Sequence, residues 1–116
     1  MTTLYGINNC DTIKKVKSWL IAREIDFEFH DYKKAGCDAK LAKLLVSQFP
    51  FDEVINKRGT TWRKLSDNEK NSLNEKSAQI LMMENPSIIK RPILQTDQEW
   101  FLGFDESLWQ SKLPNL

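Results

Sequence analysis

The stretch Leu4-Tyr5-Gly6-Ile7-Asn8-Asn9-Cys10-Asp11-Thr12-Ile13-Lys14-Lys15 decides the reading of this chain. An apolar run, residues 2–7, has the length and composition of a short buried strand. It stops at a polar pair, Asn8-Asn9, and a helical pattern follows over 12–24, with Ile13, Val16 and Leu20 on one stripe. Lys14, Lys15, Lys17 and Arg23 are expected on the outer face. Cys10 therefore stands where a strand turns into a helix. Helix N-termini carry unpaired N–H groups and a partial positive charge, and a thiol held there loses its proton more readily. Asp11 is expected to cap the helix, and Asn9 to cap it or to orient a bound peptide backbone. Thr12 can help close the same turn.

Working outward, residues 26–32 alternate. Phe27, Phe29 and Asp31 fall on one side, and Glu28, His30 and Tyr32 on the other, the pattern of a half-buried strand. Strand, helix and strand in about 30 residues have the length of a βαβ unit. Gly36 breaks the chain. Asp38 is a cap for a helix over 39–47 whose stripe is Leu41, Leu44 and Leu45. Pro50 opens a short helical stretch over 51–55, and residues 56–61 form a polar loop. Ser66 and Glu69 match a capping box. Helices are expected over 67–71 and 75–84, with core contacts from Leu73, Ile80 and Leu81.

The tail changes character. Pro86 ends the last of these helices, and residues 88–95 read as a turn followed by a strand. Asp97-Gln98 makes a hairpin turn into a strand over 100–104, and a final helix over 105–112 is expected to bury Leu108 and Trp109. The order is βαβ, then helices, then ββα. That is the plan of an α/β thioredoxin-like fold with an inserted helical region. The 116 residues fit one domain, with the insertion at about 37–87.

Composition narrows the function classes. Lys and Arg number 17 against 16 Asp and Glu, for a net charge of +1. That balance gives no broad electrostatic attraction to nucleic acid or to an anionic membrane. No apolar run has the length of a membrane span, and the first residues lack the pattern of a secretory signal. Two cysteines and one histidine are too few for a disulfide scaffold or a Cys/His zinc site, so no metal is expected. The cysteines read as reduced thiols of a cytoplasmic protein. Cys37, in the loop after Gly36, reads as an inert loop thiol and His30 as a structural residue. Trp62, Trp100 and Trp109 read as packing groups, because no basic–aromatic alternation accompanies them.

Several blocks of the chain, taken in order, resemble one family. They are residues 5–15, His30-Asp31-Tyr32-Lys33-Lys34, Asn56-Lys57-Arg58-Gly59-Thr60-Thr61-Trp62-Arg63 and Asn85-Pro86-Ser87-Ile88-Ile89-Lys90-Arg91-Pro92. Together they are similar to the YffB branch of the arsenate reductase (ArsC)-like family, which also contains the Spx regulators. The resemblance implies a thioredoxin-like fold, a reactive Cys10 and a cis Arg91-Pro92 bond beside the thiol. It implies a glutathione-dependent thiol reductase, with glutathione as co-substrate. Arg58 and Arg91 would hold carboxylates by bidentate bonds, and Asn9, Thr12, Lys14 and Pro92 would complete the binding site. Lys57 and Lys90 are weaker candidates.

Two departures bear on activity. Arsenate reductases of the family place a further arginine just after the glycine and aromatic residue of the last strand, where this chain has Asp105-Glu106. Spx proteins often carry a second cysteine three residues after the first, where this chain has Ile13. The alternatives are glutathione-dependent arsenate reduction by the same Cys10, and a non-catalytic Spx-like module docking on a protein such as RNA polymerase. The expected partners are a small-molecule thiol and an oxidised substrate, with the chain a monomer.

Overall fold

The computed structural model describes residues 1–8 and 10–113. Its elements run β1 (Thr3–Gly6), α1 (Asp11–Ala22), β2 (Glu28–Asp31), α2 (Tyr32–Ala35), α3 (Ala39–Gln48), α4 (Phe51–Val54), α5 (Thr60–Arg63), α6 (Asp67–Asn71), α7 (Glu75–Glu84), β3 (Ile93–Gln95), β4 (Trp100–Leu102) and α8 (Glu106–Lys112). A 3-10 turn at Pro86–Ile88 precedes β3. The chain divides into two compact units, Met1–Asp31 with Arg91–Leu116, and Tyr32–Lys90.

The first unit is built on a four-stranded sheet of order β2-β1-β3-β4. β1 pairs in parallel with β2, Leu4 opposite Phe29. It pairs antiparallel with β3, Leu4 opposite Leu94, and β3 pairs antiparallel with β4, Leu94 opposite Phe101. Parallel neighbours need a crossover, and α1 supplies it. Because side chains alternate across a sheet, this register puts Leu4, Phe29, Leu94 and Phe101 on one face. Val16, Trp19 and Leu20 of α1, with Trp109 of α8 and Leu113 after it, complete a core on that face. Trp109 is its largest member with no exposed surface. Its ring meets Phe104 edge-on at 4.9 Å, and Trp19 and Phe101 at 5.8 Å each, within the favourable range for aromatic pairs. On the opposite face Tyr5 stacks on Trp100 at 6.0 Å and meets His30 at 5.2 Å. The Tyr5 hydroxyl donates to Gln95 Oε1 at 2.7 Å.

The hairpin between β3 and β4 forms as expected. Thr96 Oγ1 accepts from the amides of Gln98 and Glu99 at 3.3 and 3.0 Å, a side-chain turn closed by one hydroxyl. Asp105 caps α8 through the Leu108 amide at 3.1 Å.

The second unit is helical. α3 packs on α7, and Ala42 and Leu45 of α3 and Ala78 and Met82 of α7 are fully buried. Asp38 caps α3 through the Leu41 amide at 2.8 Å. The Ser66–Glu69 capping box at α6 is formed in both directions. Asn74 and Ser77 form a second box at α7. Gly36 has φ of 67°, the left-handed conformation that suits glycine between α2 and α3.

Several expectations are corrected. Leu108 is 43% exposed and Ile80 47% exposed, so neither is core. Trp109 and Leu113, four apart, define the inner face of α8, and Leu108 is turned about 100° from Trp109 by the helix period. On α7 the stripe is Ala78, Leu81 and Met82, and a buried alanine had masked it. β2 ends at Asp31, and Tyr32 begins α2 rather than extending the strand. Thr60–Arg63 is a helical turn, not loop. Asp11 is the first helical residue, and Cys10 itself occupies the N-cap position.

Trp109→Ala is expected to cost about 3–5 kcal/mol of stability in chemical denaturation, as large-to-small changes at buried aromatics do. Leu108→Ser on the neighbouring position should stay within about 0.5 kcal/mol.

Candidate active site

Cys10 has φ of −106° and ψ of 131°, the extended geometry of a residue preceding a helix. Its carbonyl accepts from the Lys14 amide at 3.2 Å and starts the α1 ladder. Its sulfur makes no fully formed capping hydrogen bond, yet it faces donors of the first turn. Partial burial pushes the Cys10 thiol up. The amides of Ile13 and Thr12, the Thr12 hydroxyl and the Arg91 charge act in the other direction and outweigh it, so the thiol lies below its ordinary range. Each of these donors and charges favours the thiolate, and the thiolate is the nucleophile.

Arg91 and Pro92 come from the strand side of the same unit. Their peptide bond is cis, as the family resemblance implied. Pro92 is buried and Arg91 half-buried. The Pro92 carbonyl accepts from the Gly103 amide at 2.8 Å, which ties the segment entering β3 to the end of β4. Lys14 is exposed on α1. Asn9 lies outside the described residues.

The lysine that serves this loop is a different one from those expected. Lys17 was assigned to the outer face, but it is half-buried. Its ammonium donates to Asn8 Oδ1 at 3.0 Å and stands 3.9 Å from the centre of the Phe29 ring, within cation–π range. The turn before Cys10 is thereby tied to α1 and β2. A lysine seven residues after a cysteine gives no such signal in sequence, because the contact depends on where β2 puts Phe29.

Arg58 belongs to the second unit. It is exposed, and its amide donates to Asn56 Oδ1 at 3.1 Å, an Asx turn that shapes the loop. Lys57 stands 5.6 Å from the Trp62 ring. Lys90 contributes its amide to the Val54 carbonyl at 2.8 Å, beside the bridge between Ile55 and Ile89. Cys37 is also in this unit and is buried. Burial, then the Asp38 charge, push its thiol up to about 11. Both cysteines are free. The two thiols are thus shifted in opposite directions, Cys10 towards the thiolate and Cys37 away from it. Among the described residues no group of three or more His, Cys, Asp or Glu side chains could hold a metal ion. None of their helices is long and apolar enough to cross a membrane.

The ArsC family model matches residues 5–111. The chain belongs to the ArsC family. An uncharacterized protein of Haemophilus influenzae is 43% identical over 111 residues, which cover 96% of this chain and 97% of that one. The solved structure of a YffB protein superposes with a TM-score of 0.92 at 37% identity, covering 97% of this chain and 99% of the other. An arsenate reductase (ArsC) related protein from Brucella melitensis has a TM-score of 0.78 at 40% identity, covering 95% and 92%. The global transcriptional regulator Spx of Streptococcus pyogenes is 27% identical over 108 residues, 91% of this chain and 80% of that protein. The fold is accordingly the thioredoxin-like α/β fold of the ArsC family, and the chain has relatives named both as reductases and as regulators.

Two outcomes are expected of the thiols. With limiting iodoacetamide at neutral pH, mass spectrometry should find one alkyl group, on Cys10, with Cys37 modified only after unfolding. The Cys37 proton also links to stability. Its folded value is raised, so the unfolded chain gives up the proton first. Stability from this group is full below the ordinary thiol range and is lost as pH rises through it towards about 11. Cys37→Ala should lose less stability than wild type over that window in denaturation curves.

Proposed function

We propose that the chain is a glutathione-dependent thiol reductase with Cys10 as its single nucleophile. The observation that carries this reading is the Cys10 sulfur at the head of α1, where the amides of Ile13 and Thr12, the Thr12 hydroxyl and Arg91 favour its charged form. In this reading the Cys10 thiolate attacks one sulfur of a disulfide RS–SR′. A Cys10–SR mixed disulfide forms, the S–S bond breaks, and R′S⁻ leaves and takes a proton from water. A glutathione thiolate then attacks the Cys10–SR bond. Glutathione–SR is released and the Cys10 thiolate returns. Each step exchanges one S–S bond for another, and the electrons that reduce R′S come from glutathione.

The chain has Ile13, not a cysteine, on the first turn after Cys10, and its other thiol is buried and hard to ionise. An external resolving thiol is therefore required, and a cytoplasmic setting, rich in reduced thiol, belongs to the reading. Arg91 is taken to bind a glutathione carboxylate beside the sulfur, and Asn9, Thr12, Lys14 and Pro92 to complete the site. Arsenate is a poorer fit as a substrate. Asp105, where the family's further anion-holding arginine would stand, uses its carboxylate to cap α8, and Glu106 follows it. A carboxylate pair at that position repels an oxyanion.

A second reading, a protein-binding regulator, is favoured by one observation, the similarity to Spx of Streptococcus pyogenes over most of both chains. It predicts a stoichiometric protein partner captured equally by wild type and Cys10→Ala.

Incubation with oxidised glutathione separates the readings. Wild type should gain the mass of one glutathionyl group, lost again on adding reduced glutathione, and Cys10→Ser should gain none. Equal masses for the two proteins would contradict the reductase mechanism. Arg91→Ala should raise the glutathione concentration at half-maximal turnover by about ten-fold to a hundred-fold, since a charge-assisted hydrogen bond is worth about 1.5–3 kcal/mol.

A further inference from the structure

We propose that Gly6 is a positioning residue for Cys10, because the missing side chain lets Ile13 lie against the end of β1 and so brings the first turn of α1 up to the sulfur. The inference rests on the reading of Cys10 as the nucleophile.

A Cβ placed on Gly6 would lie 2.2 Å from Ile13 Cδ1 and 2.9 Å from Ile13 Cγ1, with Phe29 Cε1 at 3.6 Å. The first two distances are far inside van der Waals contact. Gly6 does not have a positive φ, so the backbone there suits any residue and the demand is one of space alone. The contact cannot be relieved cheaply. Rotation about χ2 moves only Cδ1; Cγ1 turns with χ1, which has one strongly preferred rotamer for a β-branched residue on a helix, and Ile13 has no exposed surface to turn into. Packed interiors transmit such strain to the backbone. The backbone in question carries the Thr12 and Ile13 amides that face the Cys10 sulfur.

The loop between these elements is held at its other end as well. Asn8 is tied to Lys17 at 3.0 Å, and Lys17 rests on Phe29, the same ring that flanks Gly6. The turn from β1 to α1 is thus fixed by Lys17 at Asn8 and by the close approach at Gly6. Both set where the helix head lies.

The test compares variants for the pH dependence of Cys10 alkylation, all in a Cys37→Ser background and with far-UV circular dichroism as the check on folding. Gly6→Ala should move the midpoint upward by about half a unit to one unit, equivalent to a several-fold slower reaction at neutral pH. Gly6→Ala/Ile13→Val removes Cδ1, the atom at 2.2 Å, and leaves only Cγ1, at 2.9 Å, to yield by a few tenths of an ångström, in a volume-conserving change of the kind cores tolerate best. It should return the midpoint to that of wild type. A folded Gly6→Ala with the wild-type midpoint would overturn the proposal. If Gly6→Ala does not fold, a folded double variant with the wild-type midpoint supports it, and one with a raised midpoint overturns it. Loss of the native spectrum in both would mean that Ile13 is not the group Gly6 accommodates, which also overturns it. Each comparison is with wild type, so it reads Gly6 whatever the absolute midpoint. Glutathione adduct formation by wild type reads the catalytic proposal separately.

Discussion

The constraint on which the first unit turns is the electrostatic meeting of one sulfur with the head of one helix. The first amides of any helix have no carbonyl partners within it. At α1 two of them, with the Thr12 hydroxyl, face Cys10, and Arg91 adds a positive charge. Burial alone would make this thiol less acidic, as it does at Cys37. The two cysteines differ in what surrounds them. Both lie just before helical segments, but Cys37 is enclosed beside the Asp38 carboxylate, whereas Cys10 is half-open and faces donors.

The rest of the first unit keeps that meeting in place. α1 is pinned by Val16, Trp19 and Leu20 to the face of the sheet formed by Leu4, Leu94 and Phe101, with Trp109 closing the cluster. β1, the strand that leads to Cys10, is paired on both sides. Its neighbour β3 follows directly from Arg91 and Pro92. The thiol follows a doubly paired strand by four residues, and the arginine comes two residues before the strand beside it. Precise placement of this kind is what a small nucleophilic site requires.

Much of this was legible in the residues. The strand-to-helix turn at Cys10, the βαβ and ββα halves, the Asp38 cap, the Ser66–Glu69 box and the hairpin at Asp97-Gln98 each have a local cause, and local causes can be read from spacing. What escaped depends on contacts between elements. Leu108 and Ile80 are apolar and periodic enough to suggest burial, but the buried stripes run through Trp109 and through Ala78, Leu81 and Met82. Alanine gives a weak hydrophobic signal even where it is fully buried, as Ala78 is. Tyr32 continues the alternation of β2, yet the chain turns helical there. Lys17 has the pattern of a solvent-facing lysine, and only the position of Phe29 on β2 draws it in towards Asn8. Cys10 serving as N-cap itself, with Asp11 one place inside the helix, is a shift of a single residue that propensity does not resolve.

The central claim is that Cys10 is a thiol made acidic by its setting. The most direct measurement is the rate of Cys10 alkylation against pH, in Cys37→Ser protein so that one thiol is counted. The account predicts a midpoint below that of a free thiol, and a midpoint that rises when Thr12 is replaced by valine. A midpoint at or above the free-thiol value would contradict it.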